Sequence, residues 1–591
     1  MAKKIIQPPF LPVSREELTA LGWEEIDVVL VSGDAYVDHP SFGIALIGRL
    51  LVERGYRVAV LPQPRHDSPA DFSKLPRPRL FCGISGGNLD SVVANYSGAG
   101  RVRDQDAYSA GGDPWFPGER GKKNRRRPDR ATIVYSSLAR HVWPGVPIVL
   151  GGVEASLRRF IHFDFKQERL RNSILSDAKG DILVYGMGER QAVEIAERIA
   201  AGDDLHKIAG TCERVFDKET GEEAKAIPGW AEISRDPKQF LTAELAIEET
   251  ARGGGQQALI QAQKSGAVIQ HPPTRPLTQA ELDHLHSLPF SRRPHPAAGD
   301  IPAARMVRDS VTIVQGCVGN CSFCAISRHQ GNHIVSRSPE SIIREVERIA
   351  KRPGFSGTIT DLGGPSANLY ATRCKKGGCP RRDCLMPKIC PNLKIDEKAF
   401  LDLLHRSRKV AGVKHLFISS GLRMELLLAT PALLREIILH HSPGRIKIAP
   451  EHTEDKVLRL MHKPQFQVCE DFIAKSRKIG EEEGLKVRFS PYLISAHPGS
   501  GEKEARAMAA RLKKLGLVPR APQDFTPTPG NLSTAMYYCA TGPKGERIEV
   551  ARGREARARQ RELIEELIPD RRGKKKKGAA GRRPRNRKGQ K

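Results

Sequence analysis

The chain has 591 residues, a formal charge of +28 from 96 Lys and Arg against 68 Asp and Glu, and 11 cysteines. That length exceeds one ordinary hydrophobic core and implies roughly three or four structural units, while no apolar run reaches the ~20 residues a membrane-crossing helix needs. Most cysteines fall in two tight groups, as metal ligands kept reduced do, and prolines interrupt MAKKIIQPPFLPVS before any signal-type segment develops, so the chain reads as cytoplasmic with no membrane partner.

After an extension over residues 1–20, residues 21–205 alternate strands and helices. Asp27–Ser32, Arg57–Leu61, Leu80–Gly83, Ile148–Leu150 and Asp181–Val184 are short apolar runs of strand length. Ile44, Leu46, Ile47, Leu50 and Leu51 recur at helical spacing between about Ser41 and Arg54, and Gly55 ends that helix. A second helix is expected over Gln191–Ala201. This alternation predicts a doubly wound, Rossmann-like parallel sheet, and glycines directly after its strands suit a ligand approaching the carboxyl edge. The insertion Gly98–Arg130, rich in Gly, Pro and Arg, reads as a solvated loop, and residues 206–300 read as a connector lying along the next domain.

Six strand–helix units are expected in residues 301–545, with strand cores Val311–Val314, Gly357–Leu362, His415–Ser420, Arg445–Ala449, Val487–Ile494 and Gln523–Phe525. Six units make a partial (βα)6 barrel, with its site at the carboxyl ends of the strands. VTIVQGCVGNCSFCAISRHQG follows directly on strand one and places Cys317, Cys321 and Cys324 in the spacing C-x3-C-x2-C. Thiolates on one loop can wrap an iron–sulfur cluster, Gly316 and Gly319 allow the tight turn, and three ligands leave one iron open. A zinc loop is the alternative, but zinc pairs usually read C-x2-C, and zinc gives no reason for the repeat that follows. Other strand ends carry Gly363 and Gly364, then Ser419, Ser420 and Arg423, then Glu451 and His452, then Tyr492 and His497.

A second group, Cys374, Cys379, Cys384 and Cys390, lies in the loop after strand two and reads as a second metal site, either zinc or iron–sulfur. Cys82, Cys212, Cys469 and Cys539 are isolated and read as structural. Residues 546–591 are expected to be helical, then a disordered basic tail. Arg571–Lys591 holds twelve cations and no acid, a composition that suits RNA contact or solubility.

C-x3-C-x2-C with Phe323 before the last cysteine resembles the signature of radical S-adenosylmethionine (SAM) enzymes. The resemblance implies a [4Fe–4S] cluster on Cys317, Cys321 and Cys324, SAM on the fourth iron, Phe323 beside the adenine, and reductive cleavage to methionine and a 5′-deoxyadenosyl radical. Gly363 and Gly364 stand in the place of the GGE-like SAM motif, with Pro365 where the acid would be. Ser419, Arg423 and Glu451 complete the expected SAM-binding set. Residues 20–205 resemble the cobalamin-binding-type domain ahead of many such barrels, through IVLGGVEAS and VYGMGERQAVEIA. That domain's D-x-H-x-x-G is absent, since Asp38 and His39 are adjacent, so the histidine ligand does not carry over and cobalamin stays in doubt. Nearly the whole chain resembles the YgiQ-type family of radical SAM proteins, including QGCVGNCSFC, IKIAPEHTEDKVL, SPYLISAHPGS and QDFTPTPGNLSTAMYY. The expected activity is radical SAM chemistry served by a flavodoxin- or ferredoxin-type reductant; its substrate is open between an RNA or ribonucleoprotein, which the basic tail favours, and a small molecule to be methylated or rearranged, which the cobalamin-like domain favours. The catalytic residues and the reaction stay open. The alternative is a non-catalytic iron–sulfur or zinc-stapled RNA-binding protein.

Overall fold

The computed structural model describes residues 6–216, 224–254, 257–377, 379, 381–519 and 522–566. The basic tail, Arg571–Lys591, lies outside them.

Among the described residues, nine strands form one sheet in the order Lys225–Ile227, Leu259–Ala262, Ala267–Gln270, Thr211–Val215, Ile182–Val184, Ile148–Gly151, Phe81–Ser85, Val28–Ser32, Val58–Pro62. The last five are parallel, and the chain order reverses at Val28–Ser32, which pairs with Val58–Pro62 on one side and Phe81–Ser85 on the other. Such a reversal opens a crevice at the strands' carboxyl ends. Every residue of Val28–Ser32 is buried, as expected of a strand covered on both faces. The residues read as a connector differ from that expectation. Their strands continue the sheet, mostly antiparallel, because their alternating apolar residues find an open edge beside Ile182–Val184. The insertion at 98–130 is likewise not simply solvated. Arg127, 1% exposed, lies between Asp34 and Asp106, with Nη2 2.5 Å from Asp34 Oδ1 and Nη1 2.9 Å from Asp106 Oδ2.

The second half is a partial barrel. Ser310–Thr312 pairs in parallel with Asp361–Gly363, Thr358–Ile359 with His415–Leu416, Ile446–Glu451 with Phe489–Ser495, and Phe489–Ser495 with Gln523–Asp524. These strands are shorter than expected, for local reasons. The first leaves the sheet after Thr312, and Val314–Gln315 pairs antiparallel with Val335–Ser336. The third ends early because the Asp361 carboxylate accepts the backbone N–H groups of Ser419 and Ser420. Helices Glu502–Lys514 and Gly553–Glu565 pack together beyond the last strand. One apolar core lies around the large sheet, a second fills the barrel, and a third, containing Phe163, Phe240, Phe525 and Tyr537, joins the two halves. No helix of the described residues is long and apolar enough to cross a membrane.

Asp38 and Arg49 are both fully buried and paired, with Nη2 2.6 Å from Oδ2 and Nε 3.0 Å from Oδ1. Arg49 also donates to the Pro8 and Pro9 carbonyls, and Asp38 accepts from Ser291 N. Removing one partner strands the other charge in the core, at a cost of about 3–5 kcal/mol. Asp38→Ala is therefore expected to lower the first urea transition by that amount, followed by circular dichroism, and Asp38→Asn by less.

Candidate functional site: a clasped cysteine loop at the end of the first barrel strand

The short ladder Val314–Gln315 with Val335–Ser336 closes the cysteine loop at its base. Cys317 N then donates to Gly331 O at 3.2 Å. Gly316 has φ +82, and a Cβ there would sit 1.9 Å from His333 O, so only glycine fits. From below, Ser322 N donates to Met461 O, and Ser533 N donates to Ser322 O, each at 2.9 Å. Cys324 N donates back to Cys321 O at 3.0 Å. The three cysteines are half-buried free thiols. Burial pushes the Cys317 thiol up and that of Cys324 up to about 12. Both would ionise readily only against a cationic centre.

Arg423 brings a positive charge to this loop. Its Nη1 lies 3.5 Å from Cys321 Sγ, and its Nη2 2.5 Å from Glu425 Oε1. Burial opposes that charge, but Glu425 and the sulfurs of Cys321 and Cys317 more than offset it and keep the guanidinium protonated. Glu451 sits at a register shift in its strand with φ +66, a strained position for a residue other than glycine. Burial raises its pKa against the pull of Lys463 and Arg423, and its charge in turn raises the Cys324 thiol. The fold thus gathers Cys317, Cys321, Cys324, Arg423 and Glu451.

The other candidates fall around this group. A Cβ on Gly363 would meet Ser420 Oγ at 2.3 Å, and one on Gly364 would meet Val314 O at 2.6 Å, so both glycines permit close strand packing. Ser419 spends its hydroxyl on Thr360 O at 2.7 Å. Phe323 stands edge-on to His497, with centroids 6.2 Å apart. His497 bonds Pro498 O and Ser533 Oγ, and His452 bonds Ser500 Oγ and Glu454 N, so both histidines are held within the fold. Tyr492 is 45% exposed.

The second cysteine group is tied to the first. Asn320 Nδ2 donates to Arg382 O at 3.1 Å, and Arg382 Nη2 donates to Asn320 O and, at 2.7 Å, to Ser322 Oγ. His462 bridges Gly319 O and Asp383 Oδ1. Burial raises the Cys384 thiol to about 11, helped by Cys390, Cys374 and Cys379 on the same loop. Among the described residues, no three His, Cys, Asp or Glu side chains are gathered as a single-ion site.

Sequence reading missed the supports. Arg328, just after the third cysteine, reaches Glu244 and Glu248 on helix Lys238–Glu249 at 3.4 and 3.5 Å, and Arg382 Nε lies 2.8 Å from Glu248. His329 Nδ1 lies 3.0 Å from Ser156 Oγ at the edge of the large sheet. These partners are distant in sequence, and the one available signal was the run SRHQG beside the cysteines. His39, by contrast, is buried beside Arg292, Glu345 and His286, and Asp38 is taken by Arg49, so this pair does not fit the cobalt-ligating role.

Residues 10–310 match the family described as Radical SAM N-terminal, and residues 311–512 match the Radical SAM superfamily. A UPF0313 protein of Methanosarcina acetivorans is 42% identical over 597 residues, spanning 95% of this chain and 79% of its own. One from Thermotoga neapolitana is 42% identical over 569 residues, spanning 94% and 98%. The solved radical SAM methyltransferase TsrM of Kitasatospora setae aligns with a TM-score of 0.48 at 14% identity, over 86% of this chain and 77% of that one. That last likeness is too low to bear on this chain's chemistry.

Gly316→Ala must open the loop base or hold alanine at positive φ, a strain of about 1–3 kcal/mol before the clash with His333 O. The expected result is a severalfold drop in iron and acid-labile sulfide per chain after anaerobic purification, with the far-ultraviolet circular dichroism retained.

Proposed function

This chain belongs to the UPF0313 family of the radical SAM superfamily, and on that premise we propose which of its residues carry the chemistry. It is a radical SAM enzyme whose cofactors are a [4Fe–4S] cluster and SAM. When bound, the cluster supplies the electron that splits SAM into methionine and a 5′-deoxyadenosyl radical. We assign Cys317, Cys321 and Cys324 as its ligands. The observation carrying this reading is the clasped loop. Three thiols share one rigid turn, burial has raised two of them, and the donor set leaves one iron for SAM.

The chain's own groups then have distinct tasks. Arg423 is placed to balance the charge of the sulfurs. Glu451, at the strained end of its strand, would meet the ammonium or ribose of SAM. Gly363 and Gly364 present backbone at the end of strand two, where a side chain would collide with Ser420 or Val314. Phe323 and the buried seam around it keep water from the loop. We assign Cys374, Cys379, Cys384 and Cys390 to a second metal, zinc or iron–sulfur, whose binding would have to draw together sulfurs that are not gathered as a single-ion site in this structure.

We divide the chain into an extension over 1–20, a sheet domain over 21–205 completed by the strands of 206–300, a catalytic domain over 301–545, and a C-terminal segment from 546. We place the enzyme in the cytoplasm. Its chemistry needs a reductant, and we assign that role to a flavodoxin- or ferredoxin-type protein. Support for an RNA target rests on the basic tail.

Anaerobic protein with a chemical reductant and SAM is expected to form 5′-deoxyadenosine, read by mass spectrometry. The triple Cys→Ala variant at 317, 321 and 324 should lose both the product and its cluster iron. Product from that variant, or none from cluster-replete wild type, would overturn the assignment. Cys384→Ala should lower only the second metal, and iron and zinc analysis of that variant identifies it.

A further inference from the structure

A cavity of about 540 Å³ lies between the carboxyl edge of the large sheet and the start of the barrel. On the sheet side it is lined by strand-end residues such as Ser85, Gly151, Gly152 and Gly188, in the crevice where the strand order reverses. On the barrel side its wall includes Gln315, His329, Gln330, Gly364 and Pro365, all next to the cysteine loop or the end of strand two. Its size is that of a small-molecule site.

The lining is selective. The rest of the wall is largely apolar, with Phe42, Ile44, Ile47, Val153, Met187 and Leu285 among its residues. In a chain of charge +28, none of the described lining residues is Lys or Arg. Asp34 is neutralised by Arg127 behind the wall. A phosphate or nucleic-acid backbone would therefore enter without a cation to receive it, whereas such ligands are bound chiefly through Lys and Arg.

Among the polar residues of the wall, which also include Tyr36, Asn88, Gln315 and Gln330, His329 and Glu189 are singled out by their bonding. Ser156 Oγ donates to Gly152 O at 2.9 Å and accepts from Gly186 N at 3.1 Å, so its one proton is committed. His329 Nδ1 must then be the donor to Ser156 Oγ, which leaves Nε2 an unprotonated acceptor on a ring that lines the cavity. Burial pushes His329 down to about 4, so it stays neutral at physiological pH. Glu189, 6% exposed, makes none of the ion pairs of the described residues, and burial pushes its carboxyl up to about 7.

We propose that this cavity is the substrate chamber of the enzyme, taking an uncharged, largely apolar small molecule whose donor group is held by His329 Nε2 and whose second polar group meets Glu189. This rests on the radical SAM reading, because the chamber opens beside Gly364, Pro365 and the cysteine loop. It makes the substrate a small molecule and not an RNA.

Gly151 provides the test. It has φ −153, an ordinary extended backbone, and a Cβ there meets nothing within 4 Å, so a larger side chain grows into the chamber without strain. Nile red, a neutral apolar dye, serves as the probe on cluster-replete full-length protein. Wild type is expected to bind it, Gly151→Leu at least about tenfold more weakly, and Ile47→Trp, filling the chamber from helix Gly43–Glu53, likewise. Iron content and circular dichroism confirm that each variant is folded. Formation of 5′-deoxyadenosine should rise on adding the ultrafiltered small-molecule fraction of a cell extract, and should not rise on adding its RNA. Dye binding equal in wild type and both variants, displacement of the dye by RNA or by cobalamin, or stimulation by RNA or by neither fraction would overturn the proposal. Formation of 5′-deoxyadenosine without any addition reads the underlying radical SAM activity, so the two failures are separable.

Discussion

The site depends on one steric constraint, the passage of Gly316 against the carbonyl of His333. With no Cβ in the way, the chain can leave strand one, reverse through the three cysteines, and return to pair Val335–Ser336 with Val314–Gln315. The loop is thereby closed at its base like a hairpin. Its middle is held by a hydrogen bond to the Met461 carbonyl and one from the Ser533 N–H, both far along the chain. The loop's three thiols are thus ordered by backbone contacts, which would reduce the conformational entropy lost if a cluster assembles on them.

The same loop joins the two halves of the molecule. The short helix Ile326–His329 carries Arg328 to Glu244 and Glu248, and His329 to Ser156. Glu248 also receives Arg382 from the second cysteine loop, and Arg423 pairs with Glu425. Arg328, Arg382 and Arg423 are therefore each matched by a buried or half-buried carboxylate. The charge of the site is set locally, independent of the chain's large net charge. Such pairs contribute little net stability when buried, and their value lies in fixing geometry. The neighbouring chamber follows a different rule, since its wall is apolar and free of cations among the described residues.

Much of this was legible from the sequence. Buried parallel strands announce themselves as continuous apolar runs, so Val28–Ser32, Val58–Pro62 and Ile148–Gly151 lie within a residue or two of expectation. The cysteine spacing, with its place after strand one, pointed to the loop that the structure clasps at its base. Side-chain roles that depend on distant partners were not legible. Asp361 reads as an ordinary strand residue, yet its carboxylate takes two backbone donors from the next strand's end and cuts that strand short. Glu244 and Glu248 fall in the stretch read as a connector, and their partner Arg328 lies some eighty residues onward. The barrel's interrupted strands were equally hidden, because Ile313 and Thr360 break the ladders without any glycine or proline to mark the place.

The central claim is that three cysteines on a pre-ordered loop leave one iron of a [4Fe–4S] cluster open to SAM. Electron paramagnetic resonance of the reduced protein, recorded with and without SAM labelled with nitrogen-15 at its amino group, addresses it directly. The expected result is a changed cluster signal on adding SAM, with a nitrogen coupling that alters with the label. A cluster signal that is the same in the presence and absence of SAM would contradict the account.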